Sequence, residues 1–236
     1  LDGFRSKMLS SKNIKEIHDF IDATDIFPGV QIKGGVSYFL WDKTHNGDCH
    51  VFSHNRKTAI SESVRPMKEH GLDVFIRFNE AISILRKIRA FEEPTIYSSI
   101  SSRMPYGIVS NFNDFSLSKT TDKPGKLYRN GDNGFISKDS IKKGHEYVNQ
   151  IKVIISKAGS GSDSFPHQII GKPFISEPQS VSTETFIILG TFLSECEAKN
   201  FISYVETKFF RFLVSLIKTT QNAARGVYRL VPLQNY

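Results

Sequence analysis

Three residues near the N-terminus have the types and the spacing of a metal-dependent nuclease site. Asp25 is followed by Gln31, and Lys33 stands two residues after that glutamine. In such nucleases the acidic residue and its partner hold Mg²⁺ and a water molecule, and the lysine lies beside them. The pattern is short, and a structural turn accounts for the same residues. A stand-alone magnesium-dependent nuclease is therefore kept as an alternative function.

The histidines and cysteines offer no further chemistry. His45, His50 and His54 are close in sequence and could meet in space, but we expect solvated surface histidines rather than a zinc site. Cys49 and Cys196 are far apart, so we expect two unpaired thiols in a reducing cytosol. We predict no metal ligand and no catalytic residue in this chain.

The motifs for methyl transfer are also absent. An amino-methyltransferase needs a glycine-rich loop for S-adenosylmethionine and an Asn/Asp-Pro-Pro-aromatic motif that holds a flipped base. The chain contains no Pro-Pro dipeptide, and its Gly159-x-Gly161 lies in a serine-rich segment that predicts a flexible loop. We therefore expect this chain alone to bind no cofactor and to methylate nothing.

Positive charge is concentrated in the later part of the chain. Residues 1–55 have a net charge of −1, whereas residues 56–236 contain 25 basic and 17 acidic side chains. From Thr207 to Tyr236 there are five basic residues and no acidic one. This distribution is typical of a region that binds nucleic acid through its phosphates. Since no apolar run is long enough to span a bilayer, we expect a cytoplasmic protein without a membrane partner.

The elements that must position these residues divide the chain into two folding units. Residues 27–42 predict a β-hairpin that leads into a buried strand, Val36–Trp41, and the polar residues 53–65 predict a linker. The boundary is placed after residue 55. The second unit begins with a helix over residues 75–91 and ends in a long amphipathic helix that starts at Ser194. The predicted fold class is α+β.

Two segments resemble a known protein family. The first reads Ile26-Phe-Pro-Gly-Val and then Ile32-Lys-Gly-Gly-Val-Ser-Tyr-Phe-Leu-Trp-Asp42. It resembles the end of the catalytic domain in N6-adenine DNA methyltransferases of bacterial restriction–modification systems, including the type IIG-like type II enzymes. The second, Thr207-Lys-Phe-Phe-Arg-Phe-Leu-Val with Val227-Tyr-Arg-Leu-Val-Pro-Leu-Gln234, resembles the end of the TaqI-type target-recognition domain of that family.

The resemblance implies a division of labour. Residues 1–55 would be the end of a methyltransferase-type mixed sheet, and residues 56–236 would be a DNA-specificity domain. The chain would be part of a longer polypeptide whose upstream methyltransferase domain binds S-adenosylmethionine, with Mg²⁺ needed only if a nuclease domain is present. The expected partner is double-stranded DNA. The candidate DNA-contacting residues are Arg103, Tyr106, Lys157, His167, Lys172, Lys208, Arg211, Lys218, Gln221, Asn222 and Arg225.

Within this set, side chains in turns are expected to read bases, and those on the helix are expected to contact phosphates. Lys208, Arg211 and Lys218 belong to the second group. A third function stays open beside DNA recognition and nuclease activity. A non-catalytic module could use the same basic charge to bind RNA or acidic proteins, and it would show no preference for duplex DNA.

Overall fold

The computed structural model describes residues 2–30, 32, 34–55, 58–158, 168–218 and 220–236. The chain forms two compact units, Leu1–Glu92 (unit 1) and Glu93–Tyr236 (unit 2). Both contain helices and strands, so the α+β class is confirmed. The division falls after Glu92 rather than after residue 55, because a strand that follows residue 55 pairs with the one before it.

Unit 1 is built on one mixed sheet. Its elements are α1 (Asp2–Ser10), β1 (Ile14–Phe20), β2 (Val36–Trp41), β3 (Cys49–Asn55), β4 (Thr58–Arg65) and α2 (Asn79–Ala90), with a 3₁₀ helix at Ala23–Asp25. The strand order is β2-β1-β3-β4, in which β1 and β3 are parallel and the other pairs are antiparallel. One face of β1 and β3 is covered by a small core of Leu9, Ile14, Ile17, Cys49, Val51 and Met67.

Two sequence predictions for unit 1 were wrong. The predicted buried strand β2 lies at the edge of the sheet, and Tyr38 and Trp41 are each more than half exposed. Its antiparallel partner in the predicted hairpin is β1 rather than the segment that starts at Phe27. The predicted linker is the second half of β3 followed by β4. The alternating polar residues of β4 belong to an exposed edge strand, which resembles a linker in composition.

Unit 2 contains two three-stranded sheets. Its elements are β5 (Gly125–Tyr128), β6 (Gly134–Ile136), α3 (His145–Val148), β7 (Ile151–Ser156), β8 (Phe174–Ser176), β9 (Ser180–Ser182), β10 (Phe186–Phe192), α4 (Glu195–Val205) and α5 (Lys208–Ile217), with 3₁₀ helices at Ile96–Ser99, Lys138–Ser140 and Arg225–Tyr228. In the described residues the strand orders are β10-β7-β8 and β6-β5-β9. Side chains from both sheets, including Leu127, Ile154, Val181 and Ile188, share one core.

The predicted C-terminal helix is present as two helices with a break at Thr207. The Ser194 hydroxyl accepts a hydrogen bond from the Glu197 amide (3.2 Å) and caps α4, and the Thr207 hydroxyl caps α5 in the same way. On α5, Phe209 is 40% exposed, whereas its neighbour Phe210 is fully buried. None of the helices in the described ranges is long and apolar enough to cross a bilayer.

Candidate nucleic-acid interface

The predicted DNA-contacting residues all belong to unit 2, but they do not form a single surface. Ten of them are among the described residues, and His167 lies outside these. Arg103 and Lys157 meet at one carboxylate, and the backbone of Asn222 pairs with that of Ala158, the residue after Lys157. The remaining residues lie on α5, in the core, or in turns elsewhere in unit 2.

The Glu184 cluster, which consists of Arg103, Lys157 and Glu184, is the most ordered group of charges among these residues. The Arg103 Nε and Nη2 atoms both donate to Glu184 Oε2, at 3.1 and 2.8 Å. The Lys157 Nζ atom lies 3.9 Å from the same oxygen. The hydrogen bonding from Arg103 lowers the pKa of Glu184 the most. The positive charges of Arg103 and Lys157 also hold this pKa below its ordinary value. The carboxylate is therefore ionised at neutral pH and keeps the guanidinium in place.

Buried strands fix the backbone at the Glu184 cluster. Glu184 lies between β9 and β10, and its amide donates to the Ile108 carbonyl at 2.8 Å. Lys157 follows β7, and its amide donates to the carbonyl of Thr185 at 2.8 Å. Two of the three charged residues therefore extend from neighbouring ends of paired strands. Positions of this kind hold functional side chains more accurately than free loops do.

The turn that carries Arg103 is anchored on both sides. The buried Ser101 exchanges two hydrogen bonds with the backbone of Ile188 in β10, both 2.9 Å long. On the other side Tyr106 is 1% exposed and belongs to the core, where burial raises the pKa of its hydroxyl. The prediction that Tyr106 contacts DNA from a turn is therefore corrected. Its aromatic ring packs in the core and anchors the turn.

The segment that contains Gln221 and Asn222 pairs with the backbone that follows β7. Asn222 forms an isolated antiparallel bridge with Ala158, and the Ala223 amide donates to the carbonyl of Lys157 at 2.7 Å. The side chains of Gln221 and Asn222 are exposed. In a major groove, Asn and Gln amides read the adenine edge, and arginine reads the guanine edge.

The other predicted residues have different surroundings. The guanidinium of Arg225 lies 4.3 Å above the ring centre of Tyr97, and its Nε atom donates to the Tyr97 carbonyl at 3.0 Å. Arg211 is half-buried on α5, and its Nε atom is buried without a hydrogen-bond partner among the described residues. Lys172 and Lys208 are exposed, and Lys218 is the C-cap residue of α5. The prediction that the helix residues contact phosphates stays a prediction.

The structure describes one of the three residues of the alternative nuclease site. Asp25 ends a 3₁₀ helix and is not on a strand, while Gln31 and Lys33 lie outside the described residues. No group of three or more His, Cys, Asp and Glu side chains in the described part of the chain is arranged to hold a metal ion.

One predicted surface histidine is buried instead. His54 is 9% exposed, and its Nε2 atom lies 2.8 Å from Nδ1 of His18. His18 stacks between the rings of Tyr38 and Phe52, with ring centres 4.7 and 4.5 Å away. Burial lowers the pKa of His54, and His18 adds to this effect. The expectation that His45, His50 and His54 are all solvated was therefore wrong for His54, because β3 turns it toward Phe20.

Glu184 was not recognised from the sequence. It stands between two threonines near a strand end, and its partner Arg103 is 81 residues away. Lys143 was missed for the same reason, although its Nζ atom donates to the carbonyl of Arg103 at 3.5 Å. The available signal was the polar Thr-Glu-Thr segment directly before an apolar strand, which marks a strand end without identifying a partner.

Comparison with known proteins gives one informative match. A stretch of 98 residues is 35% identical to an uncharacterized adenine-specific methylase of Mycoplasma pneumoniae. This stretch is 42% of the chain and 22% of the relative, so the match covers about a fifth of that protein. No protein-family profile matches the chain. The similarity supports the predicted relation to methyltransferases, and the TaqI-type target-recognition domain stays a prediction.

Proposed function

We propose that unit 2 binds double-stranded DNA and recognises a short base sequence for an N6-adenine DNA methyltransferase of the restriction–modification type. An upstream domain of the same polypeptide would bind S-adenosylmethionine and carry out the methyl transfer, since this chain lacks the motifs for both. A nuclease domain, where the complete protein has one, would require Mg²⁺. The similarity to an adenine-specific methylase supports the methyltransferase part of this proposal.

The Glu184 cluster is the observation that carries the DNA-binding part. It presents an arginine whose side chain is 69% exposed on a turn that buried residues hold in place. The backbone of Asn222 pairs next to Lys157, the side chains of Gln221 and Asn222 are exposed, and exposed lysines such as Lys172 and Lys208 supply charge elsewhere on unit 2. Arginine and amide side chains read base edges, and exposed lysines bind phosphates.

Binding to a randomised duplex library tests the proposal. The chain is incubated with the library without Mg²⁺, bound sequences are selected, and affinity is measured as salt is raised. We expect an enriched motif that contains adenine and an affinity that falls steeply with salt, because phosphate contacts release counterions. Repeating the selection with a polypeptide that includes the upstream methyltransferase domain tests whether recognition needs both parts.

A matched pair of lysine variants tests the role of α5. Lys208→Ala should weaken binding uniformly across sequences and reduce the slope of log affinity against log salt by about one. Lys199→Ala removes an equally exposed lysine on α4, which pairs with Glu195 at 3.4 Å, and should leave the slope unchanged. Equal effects of the two variants would assign the affinity to net charge alone. Equal affinity for RNA and duplex DNA would contradict the proposed function.

A further inference from the structure

We infer that Arg103 reads a guanine in the recognised sequence and that Glu184 is the residue that positions it. The inference rests on the proposed function, since it names a base that the DNA-binding surface recognises. It starts from the side-on geometry of the pair, in which Nε and Nη2 of Arg103 both donate to one carboxylate oxygen of Glu184.

This geometry leaves the outer edge of the guanidinium available. A guanidinium has five N–H donors in a fixed planar fork. Glu184 takes one from Nε and one from Nη2, and none of the described residues accepts a hydrogen bond from Nη1 of Arg103. Three donors remain, and two of them, one N–H on Nη1 and one on Nη2, form a parallel pair that points away from the carboxylate. Two parallel donors of this kind match the O6 and N7 acceptors of guanine in the major groove.

Charge favours a base over a phosphate as the partner of Arg103. The Glu184 carboxylate, 2.8 Å from the guanidinium and 3.9 Å from Lys157 Nζ, offsets part of the positive charge of both and would itself repel a phosphate brought to the same place. Exposed lysines without a carboxylate partner in the described contacts, such as Lys172, are better placed for phosphate binding. An arginine whose charge is partly offset contributes less to the general attraction for DNA, so its exposed fork serves recognition more than affinity.

Glu184 acts through Arg103 rather than on the DNA. Its side chain is 16% exposed, and Oε2 is occupied by Arg103 while Oε1 lies 3.4 Å from the Ser110 amide. Holding the guanidinium before binding removes part of the entropy that a free arginine loses when it is ordered. The hydrogen bond from Lys143 to the Arg103 carbonyl supports the same turn.

The experiment measures motif preference and salt dependence for the full chain and three variants. Arg103→Lys keeps the charge but cannot make the paired contact, Arg103→Ala removes both, and Glu184→Gln keeps the shape of the positioning residue without its charge. Each is tested on the selected duplex and on copies in which single guanines are replaced by 7-deazaguanine. This base lacks the N7 acceptor and still pairs with cytosine.

For the wild type we expect one guanine at which 7-deazaguanine lowers affinity about 10-fold, within the range of a paired base contact. Arg103→Lys and Arg103→Ala should show no loss at that position, and Arg103→Lys should keep the salt slope of the wild type. Glu184→Gln should bind random duplexes more tightly, because a negative charge is removed from a basic surface, yet discriminate less at that guanine. A variant that is merely misfolded would lose both kinds of binding.

Several results would overturn the inference, and they are distinct from failure of the proposed function. If Arg103→Ala weakens all sequences equally and lowers the salt slope by about one, Arg103 contacts phosphate. A selected motif without guanine, or an unchanged preference in both arginine variants, would also exclude the assignment. If the wild type binds duplex DNA with no motif, the inference fails while DNA binding stands. If it does not bind duplex DNA at all, alone or with the upstream domain, the proposed function fails as well.

Discussion

Unit 1 and unit 2 differ in how completely their sheets are covered. On β2 of unit 1, Tyr38, Leu40 and Trp41 are 54, 49 and 52% exposed. On β10 of unit 2, three consecutive residues, Ile187, Ile188 and Leu189, are at most 1% exposed. Burial of consecutive residues requires covered faces on both sides of a sheet, whereas an apolar edge strand at the surface is uncommon. In unit 2 the strand β10 is covered on both faces, whereas in unit 1 the apolar strand β2 is exposed.

The predicted functions divide in the same way. The segment that resembles methyltransferases includes the exposed strand β2, whereas the predicted DNA-contacting side chains come from unit 2. A base-reading side chain must be held within a fraction of an ångström, which only a well-packed support achieves. Unit 2 provides this support at Glu184. Unit 1 contains a polar clamp, in which Arg77 binds the buried carboxylate of Asp19.

The largest expected effect sharpens the comparison within α5. Phe210 is fully buried beside Tyr204 and Tyr228, so Phe210→Ala should lower the free energy of unfolding by about 3–5 kcal/mol. Its neighbour Phe209 is 40% exposed, and Phe209→Ala should cost about 1 kcal/mol or less. Urea unfolding followed by circular dichroism measures both. Equal losses would mean that unit 2 is not packed as described.

A slightly smaller effect is expected for the clamp in unit 1. Arg77 donates to both oxygens of the buried Asp19, at 2.7 and 2.9 Å, and to the carbonyl of Gly34 at 2.6 Å. Arg77→Met leaves that carboxylate buried without its partner, which costs about 3 kcal/mol. The single tryptophan, Trp41, belongs to unit 1, so its fluorescence reports this transition.

Lys87→Met is the matched control for the clamp, because it removes an exposed positive charge from α2. Its effect should stay within about 0.5 kcal/mol. DNA binding by unit 2 should be the same in both variants at temperatures where they are folded. A loss from Arg77→Met no greater than that from the control would show that unit 1 does not depend on the clamp.

Strands and helices with strong local patterns could be predicted from the sequence. The bounds of β2 and the Ser194 cap of α4 were predicted correctly, and the helix predicted over residues 75–91 contains α2. The exposed β2 and the polar β4 were misjudged, because a strand at a sheet edge lacks the neighbour that its composition suggests. Whether a strand is covered depends on the whole fold and cannot be predicted from the residues of that strand.

The candidate site was predictable only in part. Arg103, Lys157 and Asn222 were chosen because polar residues in turns are available for binding. The meeting of Arg103 and Lys157 at Glu184 depends on the pairing of β7 with β10 and on the turn near Ser101, which join residues 30 to 87 positions apart. Tyr106 was chosen by the same rule and proved to be buried. A turn sequence therefore does not show which of its side chains points inward.

A buried lysine gives unit 2 a contribution to stability that rises with pH above pH 8. Lys152 is fully buried, and its Nζ atom donates to the carbonyls of Gln150 at 2.9 Å and Glu177 at 3.1 Å. Burial lowers its pKa to about 8, although the Glu177 carboxylate opposes this shift. Between pH 8 and the ordinary lysine pKa the unfolded chain binds more protons than the folded one, so this group makes stability rise with pH.

Lys152→Met removes that contribution and leaves the other titratable groups in place. The difference in stability between the wild type and this variant therefore isolates Lys152. We expect the stability of the wild type relative to Lys152→Met to increase from pH 8 to pH 10, by at most about 1 kcal/mol per pH unit. Urea unfolding at a series of pH values measures the difference. A constant difference would show that the folded protein keeps Lys152 protonated throughout this range.

The smallest expected effect belongs to the exposed strand itself. Leu40 on β2 is 49% exposed and Leu189 on β10 is fully buried, so the two leucines differ mainly in their covering. Leu40→Ala should cost less than about 1 kcal/mol, whereas Leu189→Ala should cost about 2–5 kcal/mol, because only the second leaves a cavity. The unfolding midpoints of the two variants test this directly. A loss for Leu40→Ala as large as that for Leu189→Ala would break the comparison, since it would mean that β2 is covered within this chain.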